Sequence, residues 1–267
     1  MAVFGPNTPS PPIPWRWSLR GVGRVAALLG GAGGSALEYL RMPREERTSV
    51  AGKARWLQRT CRRALRAFKI EVVAEGEALP HGVMLAPNHV SYMDILVLSA
   101  LAPTVFVAKS EVKGWPLFGW FARMAGTLFI RRQVRADVVR VGEQLAPVMA
   151  AGVNLVVFLE GTSTDGQDVN PFRPSMLEPA VKASWPLCPV ALRYEVPAGR
   201  DATWEVAWWG SMPLLPHVIG FAGLEWVRVH VRRAAVLTAE GDRKELAAQL
   251  EAQVRALLHG ESGARRE

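Results

Sequence analysis

Cysteine is scarce in this chain. Cys61 and Cys188 are the only two in 267 residues, and neither lies in a Cys/His cluster with zinc-like spacing. The expectation is free thiols in a reducing compartment and no metal site. The sequence also lacks a Walker A motif and a Gly-x-Ser-x-Gly elbow. That argues against nucleotide-driven chemistry and against a standard serine hydrolase. A dinucleotide-like fragment, Gly21-Val22-Gly23-Arg24-Val25-Ala26, has no apolar strand before it and no acidic residue at the expected distance, so its confirming context is missing. Long apolar runs are absent as well. The weakly apolar stretch 25–37 has 13 residues with four glycines, short of the ~20 that span a bilayer and a poor core for a secretory signal. Acidic residues are few at the start: residues 1–70 carry 13 Lys/Arg against 3 Asp/Glu, and the remainder 19 against 21. The net charge of +8 is therefore N-terminal.

Such a basic segment suits nucleic acid or an anionic membrane surface, because both use the same electrostatics. Its apolar content decides for membrane and against nucleic acid. Trp15, Trp17 and Trp56 are interleaved with Arg16, Arg20, Arg55 and Arg59, a mixture suited to the lipid headgroup region. The reading is a monotopic element, one apolar helix followed by a basic amphipathic stretch from Arg55 to Phe68. A solvated basic face on a helix packed against the domain accounts for the same pattern. The expected location is peripheral or monotopic on the cytoplasmic face of a membrane.

From residue 69 short apolar runs alternate with helical ones. Strands are expected at 70–74, 83–86, 104–108, 127–130, 155–159, 188–194, 204–208 and 226–236. Helices are expected at 92–102, 134–151, 174–184 and 243–258. This reads as an α/β fold with one mixed, mostly buried sheet flanked by helices. The division expected is an N-terminal helical membrane-association segment at 1–68, one catalytic domain at 69–260 and a flexible tail at 261–267. Residues 6–14 read as a second flexible end.

The chemistry lies in Asn88-His89-Val90-Ser91-Tyr92-Met93-Asp94. An imidazole takes a proton from an alcohol near neutral pH, and a carboxylate on its other nitrogen orients it. Five helical residues turn through roughly 500°, so both side chains cannot face one way from a single helix. His89 is placed on the loop leaving the strand at 83–86 and Asp94 in the first helical turn, with Ser91 as N-cap. Ser91-x-x-Asp94 as a mere capping-box variant remains the alternative.

Several blocks occur in order: His89-x4-Asp94; Lys109-x-Glu111 with Pro116 and Gly119; Gly126-Thr127-Leu128-Phe129-Ile130-Arg131-Arg132; Phe158-Leu159-Glu160-Gly161-Thr162; and Pro186-Leu187-Cys188-Pro189-Val190. Over residues 83–195 this resembles the glycerolipid acyltransferase family, which includes the lysophosphatidic acid acyltransferases. The resemblance implies transfer of a fatty acyl group from acyl-CoA or acyl-carrier protein to a lysolipid hydroxyl, with no covalent enzyme intermediate and no cofactor. His89 would be the base and Asp94 its partner. Arg132, Glu160, Gly161, Thr162 and Lys109 would bind the acceptor, 1-acyl-sn-glycerol-3-phosphate in the first instance, giving phosphatidic acid.

Two positions depart from the family pattern. Leu159 stands where proline is usual, and Ser163 where many members have arginine, removing a phosphate ligand that Arg173 would have to replace. Thr162-Ser163-Thr164-Asp165-Gly166, with Trp208-Trp209-Gly210, Met212 and His217, is similar to a branch that includes lyso-ornithine-lipid acyltransferases. The apolar run 115–121 suits an acyl channel, lipid contact or core. A thioesterase using the same dyad on water, or a non-catalytic lipid-binding protein, are the rival classes.

Overall fold

The computed structural model describes residues 19–115, 118–131 and 135–260. Expectations that fall on Trp15, Arg16, Trp17, Pro116, Arg132 and the ends at 6–14 and 261–267 lie outside those residues. Three helices come first, α1 (Leu19–Arg41), α2 (Arg44–Thr48) and α3 (Val50–Phe68). There follow β1 (Ile70–Glu75), β2 (Met84–Pro87), α4 (Met93–Leu101), β3 (Thr104–Lys109), α5 (Phe118–Met124), β4 (Leu128–Ile130), α6 (Arg135–Ala150) and β5 (Asn154–Val156). The chain continues through α7 (Glu178–Lys182), β6 (Pro186–Glu195), α8 (Ala202–Glu205), α9 (Leu214–Ala222), β7 (Val227–Arg233), β8 (Leu237–Thr238) and α10 (Arg243–His259).

The strands form one sheet in the order β1-β7-β6-β2-β5-β3-β4, with β8 pairing β6 off that path. Strand β6 is antiparallel to β7 and β8 and the other pairs are parallel, so the sheet is mixed, as expected. Alternating side chains of the central strands feed two cores. Leu85, Val156, Cys188 and Val190 meet Trp56, Phe68 and Phe221 on one face. Met84, Leu155 and Leu187 meet Leu177, Leu250 and Val254 on the other. Both cysteines are free and buried, and burial pushes their thiols up, Cys61 to about 12 and Cys188 to about 11.

Helix α3 corrects the reading of the N-terminal segment. Its apolar stripe Trp56, Leu57, Cys61, Leu65 and Phe68 belongs to the domain core, so no break in packing falls at residue 68. Trp56, expected at a lipid interface, is fully buried, its Nε1 donating to Ser35 O at 2.9 Å and its ring stacked on Phe121. The amphipathic period decided its place: a tryptophan on the apolar side of a helix that meets a sheet goes inward. Several N-terminal cations are tied down too. Arg59 and Arg63 pair with Glu38, Arg62 Nε donates to Ala100 O at 2.8 Å, and buried Arg24 donates to the carbonyls of Ala222, Leu224 and Glu225. The outer side of α1 nevertheless exposes Leu19, Val22, Leu29, Leu37 and Leu40. No helix of the described residues is long and apolar enough to cross a membrane.

The expected strand at 204–208 is instead helix α8, because Asp201 caps it by accepting from Thr203 N at 2.9 Å, followed by an irregular segment. The expected helix at 174–184 divides into a 3-10 turn, Pro174–Met176, and α7, with Pro179 at the second start. Helices α5 and α9 lie in apolar stretches that had been given no helix.

Candidate functional site

The residues singled out in the sequence gather at the C-terminal ends of parallel strands β2, β5, β3 and β4, the edge where open α/β sheets present ligands. Asn88 and His89 follow β2, Lys109 ends β3, Arg131 follows β4, and Glu160 lies just beyond β5. Asn88 anchors the first of these loops to β6: its side chain donates to Leu192 O at 3.0 Å and accepts from Leu192 N at 2.7 Å.

His89 is held at every side but one. Its Nδ1 donates to Asp94 Oδ2 at 2.8 Å, and its ring stacks on Phe158 with centroids 3.8 Å apart. Its backbone N–H donates to Glu160 Oε1 at 2.6 Å, and its carbonyl accepts from Thr164 N at 2.8 Å. The side chain keeps 21% exposure, and among the described residues no protein group bonds Nε2. An imidazole fixed through Nδ1 with Nε2 open has the tautomer and orientation of a general base.

Asp94, in the first turn of α4, is fully buried and surrounded by donors. Oδ2 accepts also from Val90 N at 2.7 Å and Ser91 N at 3.0 Å, while Oδ1 accepts from Tyr194 Oη at 2.7 Å. These bonds compensate a carboxylate taken out of water. They also correct the capping expectation. Tyr92 occupies the N-cap without a side-chain bond, and Asp94 reaches back from inside the helix to the amides of Val90 and Ser91, the backward half of the Ser91-x-x-Asp94 capping pattern. The five-residue spacing lets the chain turn once between base and partner.

Glu160 is nearly buried, and both its oxygens are occupied, Oε1 by His89 N and Oε2 by Asn170 N at 2.8 Å. Burial, and secondarily the charges of Asp94 and Asp168, push its carboxyl up to about 8 against the pull of those two amides. Its observed work is to tie the His89 loop to the loop after β5. Gly161 follows at φ +77°, the left-handed turn that glycine adopts without strain. Thr162 is exposed, as are the side chains of Lys109 and Arg173; Arg173 N donates to Leu159 O at 2.9 Å. Arg132 lies outside the described residues.

Ser163 turns inward and donates to Trp208 O, while Trp208 N donates to Val90 O at 2.9 Å. One strand-less segment thus clamps both the His89 loop and the Glu160 loop. Tyr92 stands beside it, edge-on to Trp208, Phe118 and His217, with its hydroxyl 3.0 Å from His217 Nδ1. Burial pushes His217 down to about 4, so it is neutral near pH 7. The sequence reading gave Tyr194, Asn88, Phe158 and Tyr92 no role at the site. The available signal for Tyr194 was a phenol, one of three tyrosines in the chain, in an otherwise aliphatic strand, where its hydroxyl needs a partner.

Comparisons with known proteins bear on this geometry. The acyltransferase family model matches residues 50–193. A lyso-ornithine lipid O-acyltransferase of Pseudomonas aeruginosa is 37% identical over 91% of this chain and 92% of its own. A 1-acyl-sn-glycerol-3-phosphate acyltransferase of Neisseria meningitidis serogroup B is 32% identical over 71% of this chain and 74% of its own. The crystal structure of a 1-acyl-sn-glycerophosphate acyltransferase from Thermotoga maritima has the same fold, with TM-score 0.62 and 21% identity, covering 93% of this chain and all of that one.

Proposed function

The chain belongs to the acyltransferase family, and from that premise we propose that His89 and Asp94 carry acyl transfer from a thioester to the free hydroxyl of a lysolipid. The carrying observation is the His89 Nδ1–Asp94 Oδ2 bond of 2.8 Å with Nε2 open at the ligand edge of the sheet. Nε2 takes the proton of the acceptor hydroxyl as its oxygen attacks the thioester carbonyl. The resulting imidazolium is stabilised by Asp94 and returns the proton to the departing thiolate, so no covalent enzyme species forms. Proton transfer of this kind contributes about 10²–10⁴-fold, and positioning the two substrates supplies the remainder.

Glu160 serves as a positioning residue in this reading, since its oxygens are already taken by two backbone amides. The acceptor head group is left to the exposed side chains of Thr162, Lys109 and Arg173, and to Arg132 as the family blocks imply. Lysophosphatidic acid, giving phosphatidic acid, is the acceptor implied by the family blocks. The lyso-ornithine lipid is a second reading, favoured by Ser163, which is not cationic and is bonded inward to Trp208. The wide similarity to a lyso-ornithine lipid O-acyltransferase supports it as well. Acyl-CoA or acyl-carrier protein is the donor. Membrane association on the cytoplasmic face, through the apolar outer side of α1, is supported by the exposed residues from Leu19 to Leu40 and by the uncharged helix α9 packed beside it.

The test uses the full chain in detergent with palmitoyl-CoA or palmitoyl-acyl-carrier protein and, in parallel, lysophosphatidic acid, lyso-ornithine lipid or water. Thiol release and lipid product are followed for wild type and His89→Ala. Transfer to one lysolipid that is lost in His89→Ala is the expected result. Thiol release independent of acceptor makes the protein a thioesterase, and full transfer by His89→Ala refutes the dyad.

A further inference from the structure

Asp94 has one donor that no local motif supplies. Tyr194 reaches it from β6, a hundred residues along the chain, with Oη 2.7 Å from Oδ1 and the hydroxyl fully enclosed. We infer that Tyr194 is a positioning residue of the reaction, a third member of a His89–Asp94–Tyr194 relay that sets how strongly the carboxylate attracts the proton of the imidazole. The inference rests on the His89–Asp94 reading above.

The division of labour between the two carboxylate oxygens supports this. Oδ2 takes the His89 ring and the amides of Val90 and Ser91, all from its own loop. Among the described residues, Oδ1 accepts from Tyr194 alone. The loop can shape itself around Oδ2, whereas Oδ1 needs a donor brought in by the sheet. That donor is neutral, so it holds the carboxylate without competing with His89 as a second cation would. It is also permanent: burial, and after it the charge of Asp94, raises the phenol well above its ordinary range. A hydrogen bond to one oxygen draws charge away from the other, so Tyr194 moderates the hold of Asp94 on the imidazolium.

The sign of the effect follows from treating His89 and Asp94 as a coupled pair. Removing the hydroxyl leaves Oδ1 facing a hydrocarbon ring. The pair then binds its first proton more readily, whether that proton rests on the imidazole or on the carboxylate. The acidic limb of the kcat/KM profile moves to higher pH, by about one unit if the bond is an ordinary charge-assisted one. Other titratable groups about His89 are Glu160, which faces its backbone, Asp168 beyond that, and the Tyr92–His217 pair at the far side of the loop. Among the described residues none of them bonds Tyr194, so their limbs stay in place.

The experiment measures kcat/KM against pH, in the assay above, for wild type, Tyr194→Phe, Asp94→Asn, Asp94→Asn/Tyr194→Phe and His89→Ala. Phenylalanine keeps the ring in the core, and thermal melting checks that the fold survives. The expected outcome is an upward shift of the acidic limb in Tyr194→Phe that is absent when the same change is made on Asp94→Asn. A second variant keeps the test open if Tyr194→Phe folds badly. 3,5-Difluorotyrosine at position 194 is a stronger donor and is expected to move the limb downward. An unmoved limb in folded Tyr194→Phe, or shifts of the same sign for the weaker and the stronger donor, overturns the inference and leaves Tyr194 a packing residue. Activity surviving in His89→Ala fails the underlying dyad instead, so the two failures are distinguishable.

Discussion

Replacing Asp94 by asparagine removes charge while leaving every hydrogen bond able to form. With its amide oxygen in the place of Oδ2, asparagine accepts from His89 Nδ1, Val90 N and Ser91 N, and its NH₂ in the place of Oδ1 donates to Tyr194 Oη. Only the attraction between carboxylate and imidazolium is lost. With Nδ1 and Oδ2 2.8 Å apart, the charge centres lie roughly 4 Å apart, worth about 4 kcal/mol at an effective dielectric near 20. Three further donors already draw on the same carboxylate, so about 2–4 kcal/mol falls to the transition state. That predicts a kcat lower by about 30- to 1,000-fold, with an acidic limb at lower pH and a melting temperature close to wild type. Asp94→Ala behaves differently. It strands two buried amides and a phenol at about 1–3 kcal/mol each, so stability falls together with activity. Saturating turnover of purified protein, alongside thermal melts of both variants, is the measurement. An Asp94→Asn enzyme that melts like wild type and keeps more than about a tenth of its kcat would refute the reasoning, because the charge would then be idle.

Three other substitutions probe the scaffold. Glu160 has its carboxyl pushed up to about 8, so the unfolded chain ionises it first as pH rises. Its contribution to stability is fully present below about 4.5 and is lost progressively up to about 8, at about 1.4 kcal/mol per unit. Urea unfolding at pH 5, 7 and 9 is expected to show a steeper decline for wild type than for Glu160→Gln, and parallel curves would contradict the assignment. Arg24→Met keeps the buried stem but drops the bonds to Ala222, Leu224 and Glu225; about 2 kcal/mol of stability should go, with faster hydrogen exchange confined to α1 and α9. Gly119→Ala would set a Cβ 2.4 Å from the backbone oxygen of Lys113, where no flexible side chain can yield, and a loss of about 1–3 kcal/mol in thermal or urea unfolding checks it.

What was legible in the sequence is what a short stretch of chain can encode. The His89 loop leaving β2, Asp94 in the first turn of α4 and the buried alternating sheet all follow from spacing and periodicity, and the structure has them. Ser91 is not the N-cap, although the pattern Ser-x-x-Asp permits it; Asp94 takes the nearby amides, and its second oxygen is met by Tyr194, outside any local window. Trp56 was misjudged because tryptophan among arginines fits a lipid interface and a half-buried helix equally well, and the contact with Ser35 and Phe121 decided between them. The strand expected at 204–208 is absent for a similar reason, since a single cap at Asp201 outweighed an apolar run and started helix α8. Long-range partners such as Leu192 for Asn88 or Trp208 for Ser163 have no signature at all in one sequence.

The site's two buried carboxylates show how environment divides one chemistry into two roles. Asp94 and Glu160 both stand within hydrogen-bonding reach of His89, one at the ring and one at the backbone N–H. Asp94 gathers four donors, one of them the imidazole that carries the positive charge in the proposed mechanism. Glu160 gathers two amides in a more confining place, and burial with the neighbouring charge of Asp94 raises its carboxyl to about 8. Two full charges side by side beneath one imidazole would hold the imidazolium too firmly to return its proton to the leaving thiolate. In the proposed mechanism, one carboxylate at the ring and a second that is largely neutral at pH 7 would let His89 both take and release the proton. Glu160 then acts as a brace whose titration is kept apart from the base it supports in the proposed mechanism, and the pH dependence of Glu160→Gln and Tyr194→Phe should separate accordingly, the first in stability and the second in the acidic limb of catalysis.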